Sequence, residues 1–171
     1  MTHSTAAKSS SLILDEAAIE RKMLRMAYEI YERNVAEKQI ILAGIADRGT
    51  AVAEVLRTHL QAITPFNITL LTIALNKARP LDAAFENTID CSGKSIIVVD
   101  DVANSGRTIF YGMRPLMDVL PKKVQTAVLI DRMHKSFPLS VDYTGYRLST
   151  TLQEKVLVDI VEGQIKGAYL Q

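Results

Sequence analysis

The sequence predicts an α/β fold in which a doubly wound, mostly parallel sheet is flanked by helices. Apolar segments that begin at Gln39, Asn67 and Ser95 have the length of strands and carry no charge. Such segments are typical of parallel strands that are buried on both faces. Segments with helical spacing of their apolar residues alternate with these strands, as they do in α/β proteins. In sheets of this kind, ligands bind at the carboxyl ends of the strands.

Length and composition predict one cytoplasmic domain. The chain has 171 residues, and a domain of about this size buries roughly 70% of the surface that its unfolded chain exposes. The single cysteine, Cys91, cannot form an internal disulfide, which suits a reducing compartment. No apolar run is long enough to span a membrane. Residues 1–11 are small and polar, so we predict a disordered tail before a single domain over 12–171. The net charge of +1 gives no global attraction for nucleic acid.

The first half of the chain alternates helix and strand. Residues 15–33 are rich in helix formers and predict an amphipathic helix. Its apolar stripe consists of Ile19, Met23, Met26, Ala27 and Ile30. The elements predicted next are a strand over 39–44, a loop over 45–49, a helix around 50–60, a strand over 67–75 and a polar segment over 76–88.

The second half begins with a strand that is followed by two adjacent carboxylates. A strand that is apolar on both faces has no room for acids, so we predict that Asp100 and Asp101 follow it, where it emerges into solvent or a site. A turn of small residues over 103–106 precedes a predicted helix. The apolar residues of that helix recur at positions 109, 113, 116, 117 and 120. Further strands are predicted over 124–130 and over 156–160, the latter as a final edge strand.

The turn after the two acids has the composition of a phosphate site. Its backbone N–H groups, the hydroxyls of Ser105 and Thr108 and the positive end of the next helix are suited to a phosphate. The carboxylates would repel that phosphate, so they are better placed against hydroxyl groups, a divalent cation or both. The expected ligand is therefore a sugar phosphate. The structural alternative is that the acids cap a turn and that Gly106 only permits it.

A resemblance to a known family makes this expectation specific. Residues 98–108, Val-Val-Asp-Asp-Val-Ala-Asn-Ser-Gly-Arg-Thr, closely resemble the phosphoribosyl pyrophosphate (PRPP) signature of type I phosphoribosyltransferases, with Ser105 in place of the usual Thr. Nearly all of the chain after residue 12 resembles the pyrimidine-operon attenuator and uracil phosphoribosyltransferase proteins. The other segments that carry this likeness are Leu14-Asp-Glu, Ile45-x-x-Arg-Gly49, Leu129-Ile-Asp-Arg-x-His134, Asp142-Tyr-x-Gly145 and Glu154-Lys-Val156.

The resemblance implies a fold, a reaction and a main site. The fold is that of the type I phosphoribosyltransferases, in which both chain ends form a small hood. The reaction transfers ribose 5-phosphate from PRPP to a nucleobase, uracil by preference, forming UMP and releasing pyrophosphate, with Mg²⁺ as cofactor. Asp100 and Asp101 are implied to be catalytic, to hold the ribose hydroxyls and to be candidate Mg²⁺ ligands. PRPP is further implied to contact Val102, Ala103, Asn104, Ser105, Gly106, Arg107 and Thr108.

The resemblance also implies three segments around this main site. The pyrophosphate-binding loop is implied to consist of Ala46, Asp47, Arg48 and Gly49. Asp47 stands where the family usually has Thr, and an alternative is that it caps the next helix. Residues 76–88 correspond to a flap that closes over the reacting centre, with Arg79 as its catalytic candidate and Lys77 also within reach of a pyrophosphate. Residues 139–147 resemble the part of the hood that reads the base.

The choice of base depends on Asn104. Transferases for 6-oxopurines resemble this motif but carry an Asp at this place, where it can exchange a proton with the purine N7. Asn cannot do so, and we therefore expect uracil to be preferred over hypoxanthine or guanine. The alternatives are a purine phosphoribosyltransferase, a PRPP-sensing, RNA-binding regulator with little activity, and a structural relative that binds nothing at this site.

The same resemblance implies macromolecular partners but no membrane partner. It implies a homodimer or a higher homo-oligomer. It also implies a surface for a pyrimidine-operon leader RNA, formed by Arg21, Arg25, His134, Lys135 and Arg147. Glu20 and Tyr28 stand where the family commonly has Arg and His, which reduces the basic character of this surface.

Overall fold

A six-stranded sheet lies at the centre of the fold, which the computed structural model describes over residues 10–171. In chain order the elements of this part are β1 (Ser11–Asp15), α1 (Glu16–Arg33), β2 (Gln39–Ile45), α2 (Ala46–Ile63), β3 (Asn67–Ala74), β4 (Ala84–Phe85), β5 (Ser95–Ala103), α3 (Arg107–Gly112), β6 (Lys123–Arg132), β7 (Tyr143–Leu148), β8 (Val156–Val161) and β9 (Gln164–Leu170). Two short 3-10 helices lie at Pro80–Asp82 and Arg114–Asp118.

The central sheet has the strand order β4-β3-β2-β5-β6-β7. Each neighbouring pair is parallel except β3 and the short β4. Alternate side chains of the inner strands enter two separate cores. In β5, Ile97 and Val99 pack with α1 and α2, whereas Ile96 and Val98 pack on the opposite face with Ile109 of α3. The predicted doubly wound α/β fold is confirmed.

The first helix begins where its capping residue predicts. Asp15 Oδ1 accepts a hydrogen bond from the Ala18 N–H at 2.7 Å, which satisfies one of the free donors in the first turn. All five residues of the predicted apolar stripe are buried, and they hold α1 against α2 and β7. No helix within residues 10–171 is long and apolar enough to cross a membrane.

Both ends of the described chain join in a second, antiparallel sheet with the order β1-β9-β8. This small sheet confirms the predicted hood. β8 is an edge strand, as expected, but the last strand is β9, which the sequence analysis missed. A two-residue turn joins β8 to β9, and its residues Glu162 and Gly163 have φ values of 49° and 77°. Positive φ at both positions gives the tight hairpin turn that fits the twist of paired strands.

Residues 143–148 lie elsewhere than the sequence predicts. They form β7, an edge strand of the central sheet, and not part of the hood. Tyr143 is fully buried, and Asn34 Nδ2 donates a hydrogen bond to its hydroxyl at 3.2 Å. A Cβ on Gly145 would lie only 2.6 Å from the Leu129 carbonyl oxygen. The assignment of this strand to a base-reading hood is wrong, because its side chains build the core beneath α1.

The helix predicted after Thr108 is shorter than expected. α3 ends at Gly112, and Pro115 lies in the first turn of the 3-10 helix that follows. Proline lacks the N–H that an α-helix needs at this point, and a 3-10 helix makes a turn in about three residues. The predicted stripe is therefore broken: Leu116 is buried, whereas Met117 is 70% exposed.

The start of the domain also differs by a short distance. β1 begins at Ser11 and pairs there with Leu170 of β9, so this residue belongs to the small sheet and not to the predicted tail. Ser10 is exposed and lies outside any strand or helix, and residues 1–9 of the predicted tail lie outside the described residues.

Candidate active site

The two acids of β5 lie where the central sheet opens. β2 pairs with β5 only as far as Val99, whereas β6 continues beside β5 to Ala103. Asp100 and Asp101 are therefore part of the strand, and the prediction that they follow it is wrong. The ladder to β6 fixes their backbone, while on the other side β2 no longer pairs with the strand and the first turn of α2 lies against it instead. Asp100 has no exposed surface, and Asp101 is 5% exposed.

Each acid has a different set of partners. Asp101 Oδ2 accepts a hydrogen bond from Arg48 Nε at 2.7 Å, and its Oδ1 accepts one from the Val102 N–H at 2.9 Å. Asp100 Oδ1 accepts from the Asp101 N–H at 2.9 Å and lies 3.5 Å from Lys77 Nζ. Asp100 Oδ2 is buried and has no hydrogen-bond partner within the described residues. A buried oxygen without a partner is uncommon in folded proteins and marks a place where a ligand can donate a hydrogen bond or a cation can bind.

The surroundings of Asp100 favour its protonated form. Burial raises the pKa of Asp100 to about 8, and the charge of the neighbouring Asp101 adds to this rise. The Lys77 ammonium acts in the opposite direction and lowers the pKa. Two adjacent carboxylates in a site of low polarity repel each other. A cation or a hydroxyl donor that binds them therefore lowers the free-energy cost of ionising both.

Two carbonyl groups of the turn after β5 accept hydrogen bonds from residues 135–137. The Ser105 carbonyl oxygen accepts hydrogen bonds from the N–H groups of Ser136 and Phe137 at 3.0 and 3.2 Å. Lys135 Nζ donates to the Asn104 carbonyl oxygen at 3.2 Å. A cavity of about 30 Å³ lies inside the turn and is lined by Val102 through Ile109. A small cavity lined by successive residues of a turn is the kind of place where backbone N–H groups can bind an anion.

Gly106 gives this turn its shape. Its φ is 86°, in the left-handed region that favours glycine. A Cβ at this position would also lie 3.3 Å from a Leu139 methyl group. α3, which begins at the next residue, has only six residues, so we assign the anion site to the backbone N–H groups and give little weight to the helix dipole.

The predicted pyrophosphate loop is the first turn of α2. A Cβ on Gly49 would lie 2.5 Å from the Val99 carbonyl oxygen, so only glycine lets this turn approach β5. That approach places Arg48 against Asp101, and Arg48 Nη2 also donates to the Val158 carbonyl oxygen of the small sheet. The helix is capped at Ile45 without a side-chain hydrogen bond. The alternative that Asp47 caps it is therefore wrong, and Asp47 lies in the first turn, where a negative charge suits the helix dipole.

Ala46 has an unusual backbone conformation. Its φ is 50°, which is rare for a residue with a side chain and is tolerated only where the surroundings impose it. Ala46 is the residue that joins β2 directly to α2, next to the acids of β5. This conformation lets the chain turn from β2 into α2 within one residue, which keeps Arg48 in the site.

The flap brings Lys77, and not Arg79, to the acids. Lys77 Nζ lies 3.5 Å from Asp100 Oδ1 and 3.8 Å from Asp101 Oδ1. Arg79 is exposed; its backbone N–H donates to Asn76 Oδ1 at 3.4 Å within the flap turn. From the sequence, both cations are expected within reach of a pyrophosphate, with Arg79 as the catalytic candidate. The position of Lys77, two residues closer to the end of β3, is the signal that favours it.

The residues after β6 hold the phosphate turn and do not form a free basic surface. Lys135 Nζ donates to Asp131 Oδ1 and to the Arg132 carbonyl oxygen, both at 2.5 Å. His134 Nε2 lies 2.9 Å from the Thr150 carbonyl oxygen. Arg25 donates to the Gly145 carbonyl oxygen at 2.6 Å. Three of the five residues predicted to contact RNA thus bind other parts of the chain, although four of the five, Arg21, Arg25, His134 and Arg147, are exposed.

Comparison with known proteins identifies the class. A family model described as phosphoribosyl transferase domain matches residues 9–157. The chain belongs to this family of phosphoribosyltransferases. Among its relatives is the bifunctional protein PyrR of Bacillus subtilis, which is 37% identical over 164 residues and shares 89% of this chain and 91% of its own length. PyrR of Halalkalibacterium halodurans is 36% identical over 165 residues, covering 90% and 92% of the two chains. The predicted resemblance to the pyrimidine-operon proteins is confirmed.

Solved structures agree on the fold. A hypoxanthine-guanine phosphoribosyltransferase from Bacillus anthracis superposes with a TM-score of 0.73 at 19% identity, covering 92% of this chain and 96% of its own. The hypoxanthine phosphoribosyltransferase of Trypanosoma cruzi gives a TM-score of 0.72 at 15% identity, covering 81% of each chain. At these identities the likeness concerns the fold and not the choice of base.

Proposed function

We propose that the protein transfers ribose 5-phosphate from PRPP to uracil, forming UMP and releasing pyrophosphate. The observation that carries this proposal is the placement of the paired carboxylates of β5 beside a turn that encloses a small cavity lined by residues 102–109. A phosphate in that turn and ribose hydroxyls at Asp100 and Asp101 match the two ends of a ribose 5-phosphate. Because the chain belongs to the phosphoribosyltransferase family, PRPP is the donor that fits this site. We place the reaction in the cytoplasm, where Cys91 would stay reduced.

Some residues of the site bind the phosphate and the ribose, and others stabilise the charge that develops in the reaction. The N–H groups of residues 104–108 hold the 5′-phosphate, and the hydroxyls of Ser105 and Thr108 add donors. Asp100 and Asp101 accept the ribose hydroxyls and lie close to the positive charge that develops on the ribose as pyrophosphate leaves. Lys77 lies over the same place from the flap, which excludes water from the reacting centre when it closes. The flap residue Arg79 and the first turn of α2 are then left for the pyrophosphate, with Arg48 beside it while its Nε and Nη2 stay on Asp101 and Val158.

The acid pair also fits a magnesium ion. Hard cations prefer carboxylate oxygens, and Asp100 Oδ2 is a buried oxygen that has no partner within the described residues. Residues 10–171 contain no cluster of three or more His, Cys, Asp or Glu side chains that could hold a metal by themselves. Magnesium would therefore be held jointly by oxygens of PRPP and by Asp100 or Asp101, and when bound it supplies positive charge for the departing pyrophosphate.

The first prediction concerns the base. Asn104 Oδ1 accepts a hydrogen bond from Arg132 Nη1 at 3.0 Å, and an amide cannot exchange a proton with a purine N7. We expect purified protein with PRPP and Mg²⁺ to convert uracil faster than hypoxanthine or guanine, as measured by nucleotide formation with each base in turn. Faster conversion of hypoxanthine would show that the protein is a purine transferase. No turnover of any base would contradict the enzymatic role.

A second candidate function is regulation through RNA. Its support is the name of the relatives, bifunctional protein PyrR, together with the exposed Arg21 and Arg147. Phosphate contacts would dominate such binding, and each contact that is lost should reduce the slope of log affinity against log salt by about 0.7 to 0.9. We propose that a pyrimidine-operon leader binds across the surface that carries Arg21 and Arg147, in a homodimer or higher homo-oligomer.

The second prediction tests this role. Titration at physiological salt should show a higher affinity for a pyrimidine-operon leader than for an arbitrary RNA of equal length, and uridine nucleotides should change that affinity. Replacing Arg21 and Arg147 with glutamine removes two phosphate contacts and should reduce the slope of log affinity against log salt by about twice the value for one contact. Equal affinity for both RNAs, with no effect of uridine nucleotides, would remove the regulatory role and leave the enzymatic one standing.

A further inference from the structure

Arg132, the last residue of β6, joins the phosphate turn to the chain that leads into the small sheet. Its Nη1 donates to Asn104 Oδ1 at 3.0 Å. Its Nε and Nη2 donate to Thr150 Oγ1 at 2.8 and 2.5 Å, and Nη2 also donates to the Thr151 carbonyl oxygen at 3.0 Å. A single planar group therefore fixes the first residue of the phosphate turn relative to residues 150 and 151.

Residues 149–158, which we call the bridging segment, are also anchored at their other end. The Val158 carbonyl oxygen accepts a hydrogen bond from Arg48, which in turn binds Asp101 at 2.7 Å. Between these anchors, Glu154 Oε2 accepts from the Thr151 N–H at 2.7 Å and closes a turn. Lys155 exchanges two backbone hydrogen bonds of 2.8 Å with Gln171. The bridging segment thus spans from the phosphate turn to the acid pair.

With ribose 5-phosphate bound as proposed above, this course would put the bridging segment beside the attached base. A ribose 5-phosphate that has its phosphate in the turn and its hydroxyls at the acids extends between the two anchors. The segment that passes from one anchor to the other is then the wall that a base attached to the ribose would meet. The gap between this wall and the phosphate turn is set by Arg132, because its fork contacts both sides. A guanidinium holds such a gap more strictly than a lysine could, since lysine is a flexible point charge.

We propose that Arg132 is a specificity-determining residue that sets the width of the base subsite to a single-ring base. The inference rests on the proposed function, because it concerns the base that the same site accepts. Arg132 acts through Asn104, Thr150 and Thr151 and is a positioning residue.

Calorimetry with three ligands separates this role from general support of the fold. Ribose 5-phosphate reports the phosphate turn and the acids alone, UMP adds a single-ring base, and IMP adds a two-ring base. We expect Arg132→Lys to reduce UMP affinity by about tenfold, because a lysine holds the gap less strictly, while ribose 5-phosphate and IMP change less than about threefold. Thr150→Val removes the hydroxyl acceptor with little change of shape and should give the same selective loss. Arg114→Lys, at an exposed position of the 3-10 helix, is the matched control and should change none of the three affinities.

The outcomes are distinct from those that test the enzyme. Equal losses for UMP and ribose 5-phosphate would mean that Arg132 only supports the phosphate turn, and the inference would be overturned. It would also be overturned if the parent protein bound UMP no more tightly than ribose 5-phosphate. The parent protein could show no turnover while the Arg132 variant still shows a selective loss of UMP affinity. That result would contradict the enzymatic proposal and support the role of Arg132, because the binding measurement needs no catalysis.

Discussion

Replacing Asp100 and Asp101 together with asparagine is expected to reduce PRPP affinity in the presence of Mg²⁺ by about 10²- to 10⁴-fold. Each carboxylate would lose a hydrogen bond from its charged form to a ribose hydroxyl, or a bond to the cation, worth about 1.5 to 3 kcal/mol. Two such losses give the stated range. The fold should persist, because an asparagine side-chain oxygen can still accept from the N–H groups that Asp100 and Asp101 now bind. Calorimetry with PRPP and Mg²⁺ measures the effect directly.

The control for this double variant is Asp118→Asn. Asp118 ends the 3-10 helix after α3 and is exposed. Its replacement also exchanges an aspartate for an asparagine, but away from the site. Thermal unfolding of both variants should show that they are folded. If the double variant bound PRPP as tightly as the parent protein, the acids would not hold the ribose, and the assignment of the whole site would fail.

PRPP affinity is also expected to rise steeply with pH up to about 8. The pKa of Asp100 is raised to about 8, mainly by burial, and only the ionised carboxylate can bind a cation or accept with both oxygens. Well below this pKa the affinity should fall by about tenfold per pH unit, so about fiftyfold separates pH 6 from pH 8, where the group is half ionised. Lys77→Met removes the positive charge that lowers the pKa and should move the midpoint to higher pH. Lys77→Arg should leave the midpoint near its original place.

Stability has the opposite dependence on pH. The pKa of Asp100 is higher in the folded protein than in the unfolded chain, where it is about 3.9. Between these values the folded form holds a proton that the unfolded form has released, so the free energy of unfolding should decrease as pH rises from about 4 to about 8, by at most about 1.4 kcal/mol per pH unit for this one group. Urea unfolding of the ligand-free protein measures this, and Asp100→Asn should flatten the curve.

For the binding prediction, a midpoint of PRPP binding that stays fixed in Lys77→Met would contradict the assigned contact between Lys77 and Asp100.

The parts of the fold with strong periodicity could be predicted from the sequence. The stripe of α1 and the apolar runs of β2, β3 and β5 each carry enough signal to fix their class. β9 could not be predicted, because its residues Lys166 and Gly167 interrupt the pattern and its place in the middle of the small sheet depends on β1, about 150 residues earlier in the chain. The continuation of β5 through its acids likewise depends on β6 as a partner, which no local pattern reveals.

The site could be predicted as a set of residues but not as a set of contacts. The signature over 98–108 placed the phosphate turn and the acids together, because these residues are adjacent in sequence. The partners of those residues come from distant segments: Arg48 from α2, Lys77 from the flap, and Arg132 from the end of β6. Their choice depends on how α2 approaches β5, which Gly49 permits and which composition alone does not show.

The pairing of β1 with β9 has a consequence for the order in which the molecule is completed. β9 is the middle strand of the small sheet, and it includes the last residues of the described chain to enter any strand. Contacts of such long sequence separation carry a large loop-closure entropy and form late in folding. During synthesis, the central sheet can assemble while the small sheet still lacks its middle strand. The anchor between Arg48 and Val158 then depends on a sheet that cannot form before residue 170 has been made, so a nascent chain can have its phosphate turn without the wall beside it.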